Sequence, residues 1–209
     1  MAEVQVKNHA AFIWSVADLL RGDYKQSEYG KVILPLTVLR RFDCVLAPTK
    51  DAVLKQAKAR EGKVVNVAPI LEREAGGFGF YNDSPLDFQR LLDDPAQLAG
   101  NLRQYIAHFS SEAREVVDKF RFDEQITKLA QANLLYMVVS KFVDIDLHPD
   151  TVSNLEMGHL CQSTESLPRF FRVPVTHREI ELVAYPAAAL AISSSRSVVS
   201  ERAGSSRCQ

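Results

Sequence analysis

The apolar positions of the chain recur at spacings of three and four residues from about residue 8 to residue 160, which is the period of amphipathic α-helices. The first such stretch stops at Gly22, a residue that readily takes the left-handed conformation in which many helices end. This pattern predicts one amphipathic helix that ends near residues 21–23. Its apolar face comprises Phe12, Ile13, Val16, Leu19 and Leu20.

A second helix is predicted to begin after Ser27, because serine favours the N-cap position. Pro35 lies inside its apolar pattern and cannot donate a helical hydrogen bond, so the sequence predicts either a kink or a later helix start. The positions expected to face inward are Tyr29, Val32, Ile33, Leu36, Leu39, Phe42 and Leu46.

The later helices are predicted from periodicity together with the residues that favour N-caps. A weaker helix without a clear cap is predicted at 64–74, and residues 133–143 are apolar nearly all round, which predicts a central helix. The capped helices are 50–60 after Thr49, 86–92 after Asp83 or Ser84, one from Asp94 to His108, one after Ser110, and one after Asp123.

Residues Gly76–Tyr81 interrupt the helical pattern with three glycines and three aromatic residues. A phosphate-binding loop would need a strand before it and a capped amphipathic helix directly after it, and the sequence shows neither. We therefore expect a small extended turn, in which glycines take positive φ and Phe78 and Phe80 pack inward.

Together these patterns predict an all-α fold, a bundle of about eight helices with one small extended turn. After residue 160 the periodicity fades, prolines interrupt the chain, and its end is rich in serine. We therefore predict two parts: a helical domain at residues 1–160 and a divergent, largely disordered tail at residues 161–209.

Composition narrows the function classes. The net charge of −1 gives no global attraction to nucleic acid, and the three cysteines and five histidines lack the spacing of a metal site. The longest apolar run, residues 187–192, is too short to span a bilayer, so we expect a cytoplasmic protein without membrane contact. No motif of a nucleophile, a phosphate loop or a metalloprotease occurs, so we assign no catalytic, cofactor-binding or metal-binding residue.

Local positive charge is the remaining chemical feature. Lys25, Lys31, Arg40 and Arg41, on and before the second helix, are our candidates for contact with DNA or with a partner protein. Neighbouring helical residues point about 100° apart, so Arg40 and Arg41 cannot pack alike. A solvated face or an intradomain salt bridge is the alternative, and the sequence leaves both readings open.

Several segments in a fixed order resemble the helical N-terminal domain of the methylation (M) subunit of type I restriction-modification systems. The resemblance covers about residues 8 to 160. The segments are AFIWSVADLLRGDY (Ala11–Tyr24), YGKVILPLTVLRRFD (Tyr29–Asp43), FYN (Phe80–Asn82), FRFDEQI (Phe120–Ile126) and the stretch Asp150–Leu160.

The resemblance implies a part in site-specific DNA adenine N6 methylation. In that family a Rossmann-like domain binds S-adenosylmethionine and an Asn-Pro-Pro-Phe-type motif holds the flipped adenine. The helical domain precedes this machinery and contacts DNA, a second M subunit and the specificity subunit. The implied partners are therefore the specificity subunit, other M subunits and DNA within the complex.

From Cys161 onward the chain departs from the family pattern, and no donor-binding glycine motif or Asn-Pro-Pro motif occurs in it. We therefore expect the N-terminal domain of a modification subunit, truncated or frameshifted, that contributes DNA and subunit contacts but is inactive alone and binds no S-adenosylmethionine. The alternatives are a free-standing interaction module that docks on intact type I subunits, and a decayed fragment.

Overall fold

The computed structural model describes residues 2–62 and 66–158, with side chains from residue 11 onward. This part of the chain forms nine α-helices and no β-strand, which confirms the predicted all-α class. The predicted tail at 161–209 lies outside the described residues, and the division into two parts stays a prediction. The helices are α1 (Ala2–Leu20), α2 (Gly30–Leu46), α3 (Lys50–Arg60), α4 (Ala68–Glu74), α5 (Phe88–Leu91), α6 (Leu98–Ala107), α7 (Ser111–Lys119), α8 (Phe122–Gln131) and α9 (Leu135–Val143).

Helix α2 is the most enclosed helix of the domain. Every residue from Val32 to Leu39 is buried, and α1, α7, α8 and α9 all pack against the helix. All of the positions predicted to face inward are buried. Burial of apolar side chains stabilises the fold, and α2 buries such side chains on every side. The helix already begins at Gly30, so the later start considered for Pro35 is wrong.

Helix α9 was predicted to be central because its sequence is apolar nearly all round. It does pack against α1, α2, α5, α6 and α8, and its inward residues are buried. However, Tyr136 and Met137 lie on its outer face and remain about half exposed, at 44 % and 45 %. The all-round apolar pattern therefore reflects a helix with one face in the core and a second apolar face in solvent.

Several predicted N-caps are wrong. Ser27 lies inside a short 3-10 turn (Gln26–Glu28), and α2 starts after Tyr29. Asp123 lies in the first turn of α8, because Arg121 takes a left-handed φ of 48° and starts the helix earlier. Asp87, not Asp83 or Ser84, caps α5 by accepting the Arg90 N–H at 2.7 Å. These helices start where the chain reverses between packed helices, so the N-cap preferences of single residues do not locate the starts.

Two other cap positions are confirmed in place, and one start is shifted. Thr49 directly precedes α3 and Ser110 directly precedes α7, although neither side chain caps its helix. The helix predicted from Asp94 begins only at Leu98, since residues 94–97 form a turn. The weaker helix predicted at 64–74 is α4, which covers Ala68–Glu74.

The glycine-rich segment forms the predicted small turn. Gly76, Gly77 and Gly79 all have positive φ, which only glycine adopts without strain. The turn then extends to Asn82, which makes an isolated antiparallel bridge with Phe109. Phe80 is 4 % exposed and its ring centroid lies 4.6 Å from that of Phe42. The turn thereby fixes the start of the next segment against α2.

Beyond α9 the chain continues as an ordered loop. Residues 144–153 are not helical, and residues 154–158 form a helical turn. Leu147, Val152 and Met157 are buried against the domain, at 1 % exposure or less. Within residues 2–62 and 66–158, no helix is both long and apolar enough to cross a bilayer.

Candidate interaction surface

Lys25 and Lys31 lie in solvent at the N-terminal end of α2. The Lys31 ammonium is 4.0 Å from the Glu28 carboxylate, a distance at which an exposed pair contributes little. Glu28 pairs more closely with Lys128, at 3.0 Å, and this hydrogen bond is the main cause that lowers the pKa of Glu28. Both lysines thus present their charge to solvent beside a carboxylate that is already engaged.

Arg40 lies further along α2, about 13.5 Å from Lys31 along the helix axis at 1.5 Å rise per residue. Its Nη1 donates to the Asp43 carboxylate at 2.9 Å, which is the intradomain salt bridge that the sequence left as an alternative. Its Nε and Nη2 donate to the carbonyl oxygens of Ile145 and Val143, at 2.9 and 3.1 Å. Its side chain is 17 % exposed, so Arg40 works mainly inside the domain.

Arg41 is buried, with 3 % of its surface exposed. Its guanidinium donates to the carbonyl oxygens of Leu147 and Val152 and to the side chain of Asn154. The structure therefore does not bring the four predicted residues together, since the two lysines are exposed near the start of α2 and the two arginines are engaged inside the domain further along the helix. Contact of any of them with DNA or a partner stays a prediction.

A buried polar network continues from Arg40. Asp43 accepts the Tyr105 hydroxyl at 3.0 Å, and burial raises the pKa of the Asp43 carboxyl although Arg40 opposes this. Lys50 donates to the carbonyl of Leu86 and its ammonium lies 5.3 Å from the centroid of the Tyr105 ring. Burial lowers the pKa of Lys50 and raises that of Tyr105. The hydrogen bond between Tyr105 and Asp43 joins α6 to α2, and the position of the Lys50 ammonium over the Tyr105 ring adds α3 to the network.

A second polar pair holds the glycine-rich turn. The His108 Nδ1 lies 2.6 Å from the Asp83 carboxylate, and the Asp83 N–H donates to the His108 carbonyl. This pair connects the end of α6 to the turn. Over the described ranges, no group of three His, Cys, Asp or Glu side chains is placed to hold a metal ion.

The structure exposes three large apolar side chains on α1 and α9, together called the apolar surface below, which the sequence analysis did not assign. Trp14 on α1 is 54 % exposed, and Tyr136 and Met137 on α9 are about half exposed. The two helices pack together, with the Phe12 and Phe142 ring centroids 5.1 Å apart. Large aromatic and methionine side chains are enriched where one protein contacts another. The nearly all-round apolar sequence of α9 was the feature from which the exposure of Tyr136 and Met137 could have been predicted.

A shallow cleft lies between α6, α7 and α8. Its floor is apolar, and its rim carries two arginines and two aspartates. Arg103 is bound within the rim, donating to Asp123 at 2.5 Å and to Thr127 at 2.8 Å. The rim is balanced in charge, so it favours neither a cation nor an anion. The lining residues are Arg103, Ile106, Ala107, Arg114, Val117, Asp118, Phe122, Asp123 and Ile126.

Helix α3 provides the remaining exposed charge. Lys55 and Lys58 lie in solvent on this helix. Helix α3 packs mainly on α4, and Val53 is its buried residue. These lysines serve below as a comparison for Lys25 and Lys31.

The architecture defines an all-α domain built around one buried helix, with a polar network inside and apolar and basic features outside. The model of one protein family, described as the HsdM N-terminal domain, matches residues 9–142. The chain therefore belongs to the family of modification (M) subunits of type I restriction-modification systems, through their N-terminal domain. This confirms the resemblance, although Asp150–Leu160 lies outside the matched residues. A search of curated proteins and a search of solved structures each found no match.

Proposed function

We propose that this chain supplies subunit and DNA contacts within a type I restriction-modification complex and takes no part in binding the methyl donor. The observation that carries the proposal is the exposure of three large apolar side chains on α1 and α9, namely Trp14, Tyr136 and Met137. Family membership supplies the context, because M subunits work in complexes that modify DNA. The cytoplasm, where such DNA lies, is the expected location.

The apolar surface supports contact with another subunit for an energetic reason. Fully burying a side chain of this size contributes roughly 1.5–3 kcal/mol, and Trp14, Tyr136 and Met137 forgo part of that gain in the isolated chain. A protein partner that covers them would recover it. The specificity subunit and a second M subunit are the two candidate partners, and the experiment below separates them.

Lys25 and Lys31 support the DNA contact. Their ammonium groups are exposed, and neither lies in a hydrogen-bonded site that would hold it away from a phosphate. The net charge of −1 provides no long-range attraction, so the contact depends on other subunits holding the domain near DNA. Arg40 and Arg41 are not part of this proposal, because both guanidinium groups are engaged inside the domain.

The proposed lack of donor binding rests on the sequence and on the fold. S-adenosylmethionine sites of this class need a glycine-containing turn between a strand and a helix. The described residues contain no strand that could precede such a turn. Isothermal titration of the full chain with S-adenosylmethionine should therefore give no binding heat, and a micromolar dissociation constant would refute this part of the proposal.

The test of subunit contact is co-purification. The tagged chain would be co-expressed separately with the specificity subunit and with the intact M subunit encoded at the same locus. We expect one of them to be retained, and the triple variant Trp14→Ala, Tyr136→Ala, Met137→Ala to reduce retention at least tenfold.

The matched control is Leu155→Ala, since Leu155 is an exposed apolar residue outside α1 and α9, at 71 % exposure. The control should retain the partner like the wild type. Retention of the partner by the triple variant at wild-type levels would show that the apolar surface is not the contact. Retention of neither subunit by the wild-type chain would refute the proposed role in the complex.

Methyl transfer separates contact from catalysis. The chain mixed with the specificity subunit and labelled S-adenosylmethionine should transfer no methyl group to DNA above background. Incorporation would show that the chain completes a donor site, and the proposed division of labour would be wrong.

A further inference from the structure

We propose that Arg40 and Arg41 form a latch that holds residues 144–154, here called the strap, against α2, and that the strap can open as a unit while α1–α9 stay folded. The latch goes beyond the proposed function and does not depend on it. It would make the segment that follows α9 a separately movable part of the domain.

The strap needs hydrogen-bond donors from outside itself. Residues 144–153 are not helical, and the last carbonyl groups of α9 have no following helical N–H to accept from. A buried carbonyl that loses its partner is costly, so a segment of this kind is held where donors are provided. Among the described residues, two neighbouring arginines on α2 provide such donors.

Arg40 holds the first part of the strap. Its Nη2 donates to the Val143 carbonyl at 3.1 Å and its Nε donates to the Ile145 carbonyl at 2.9 Å. Val143 is the last residue of α9, and a cation at a helix C-terminus is favoured by the helix dipole. The Asp43 carboxylate fixes the same guanidinium from the α2 side, at 2.9 Å.

Arg41 holds the second part of the strap. Its Nη1 donates to the carbonyl oxygens of Leu147 and Val152, at 2.5 and 2.7 Å. Its Nη2 donates to the Asn154 side-chain oxygen at 2.9 Å. One buried guanidinium thus binds three points that are spread over eight residues of the strap. Because neighbouring positions on α2 point about 100° apart, the two arginines reach different parts of the strap without competing.

The strap also has internal hydrogen bonds, which so short a segment keeps only while it is packed on the domain, so that it opens cooperatively by local unfolding. The Asp146 carboxylate accepts the His148 N–H at 2.8 Å and the Thr151 hydroxyl at 2.7 Å. The His148 carbonyl accepts the N–H groups of Thr151 and Val152. The Thr151 hydroxyl is the main cause that lowers the pKa of Asp146, which keeps this carboxylate ionised as an acceptor.

Three side chains of the strap make its apolar contacts with the rest of the domain. Leu147 and Val152 are fully buried and Ile145 is partly buried against the core, whereas Asp144, Asp146 and residues 149–151 are exposed. Segments with few buried apolar contacts open at lower free energy than the core to which they are attached. The latch is therefore the main polar attachment of the strap, and its loss should release the strap before the core.

The test is hydrogen exchange of the full-length chain, read by mass spectrometry on peptides that cover residues 144–158. The reporting amides are those of Thr151 and Val152, which donate to His148, and of Met157, which donates to Ser153. In Arg41→Gln we expect their exchange to accelerate at least tenfold, while amides of α2 and α6 stay within about twofold of the wild type. Arg40→Gln should accelerate exchange mainly at the first part of the strap.

The matched control is Arg103→Gln, an arginine that pairs with Asp123 on the surface and does not touch the strap. It should leave exchange at residues 144–158 unchanged. Two results would overturn the latch. The first is unchanged exchange of the strap in Arg41→Gln. The second is equal acceleration in the strap, α2 and α6, which would mean that Arg41 only supports the core.

Asn154→Ala keeps the test decisive if Arg41→Gln does not fold. This variant removes one hydrogen bond of the latch and leaves both arginines in place. We expect exchange to accelerate severalfold at Thr151, Val152 and Met157 and nowhere else. An exchange profile identical to the wild type would count against the latch.

Discussion

The Tyr105 hydroxyl on α6 donates a hydrogen bond to the Asp43 carboxylate on α2, at 3.0 Å, in a part of the core where Tyr105 is 1 % exposed. The same carboxylate accepts from Arg40, which in turn holds the end of α9. One buried carboxylate therefore connects three helices. Because burial opposes its charge, each donor that serves it matters to the stability of the fold.

Replacing Tyr105 by phenylalanine should destabilise the domain by about 1–3 kcal/mol, because the Asp43 carboxylate would lose one of its donors in the core. Equilibrium unfolding in urea would measure the free energy of unfolding. Tyr136→Phe is the matched control, since this tyrosine is 44 % exposed, and it should be neutral. Equal stability of Tyr105→Phe and the wild type would show that the hydrogen bond contributes nothing net.

Glu28 should make the stability depend on pH. Its hydrogen bond with Lys128 lowers its pKa below the ordinary value of 4.5. A lowered folded-state pKa means that ionised Glu28 stabilises the fold above pH 4.5, and that this contribution is lost as the pH falls through the lowered pKa. Glu28→Gln should therefore be less stable than the wild type near neutral pH, and the two should converge in acid.

Unfolding in urea at several pH values checks this expectation. Glu115→Gln is the control, because Glu115 is a 75 % exposed partner of Lys119 at 3.9 Å. It should change the pH profile much less, since exposed pairs of this kind contribute little. A constant difference between Glu28→Gln and the wild type at every pH would contradict the assignment.

Phe80 should carry the attachment of the glycine-rich turn to the core. Its ring lies 4.6 Å from that of Phe42, and the residue is 4 % exposed. Phe80→Ala should cost about 3–5 kcal/mol of stability, as expected for truncation of a buried aromatic side chain. Phe78→Ala in the same turn should cost clearly less, because Phe78 is only half-buried. Thermal and urea unfolding of the two variants would rank them, and equal losses would show that Phe80 has no special role.

Lys25 and Lys31 should affect how DNA binding of the assembled complex depends on salt. Each lost phosphate contact lowers the slope of log K against log salt by about 0.9 on duplex DNA. We expect the double variant Lys25→Gln, Lys31→Gln to lower the slope by about one to two. The control Lys55→Gln, Lys58→Gln on α3 should leave it unchanged. If both double variants behave alike, the proposed DNA contact at the start of α2 is wrong.

The sequence predicted the helices because burial of apolar faces determines where they form. Val32, Ile33 and Leu36 needed no knowledge of the rest of the chain to be placed inside. Helix starts were less predictable, because the left-handed Arg121 that starts α8 belongs to a reversal between two packed helices.

The role of Arg40 was predictable only in part, as the alternative of an intradomain salt bridge, and the role of Arg41 was not predictable. The partners of Arg41 lie 106, 111 and 113 residues further along the chain, and nothing in a local pattern specifies such pairs. The two positive charges on α2 suggested a binding surface, whereas in the structure both guanidinium groups donate hydrogen bonds to carbonyl groups. The exposure of Tyr136 and Met137 was missed for the converse reason, since the apolar residues of α9 suggested a core.

Trp14 is the single tryptophan of the chain and is 54 % exposed on α1. Its indole ring is therefore a built-in fluorophore, and its emission reports on one defined place of the domain. Transfer of this ring from water to the surface of another protein should move its emission to shorter wavelength. The arrival of a tryptophan-free partner at α1 can thus be followed in real time without attaching a dye.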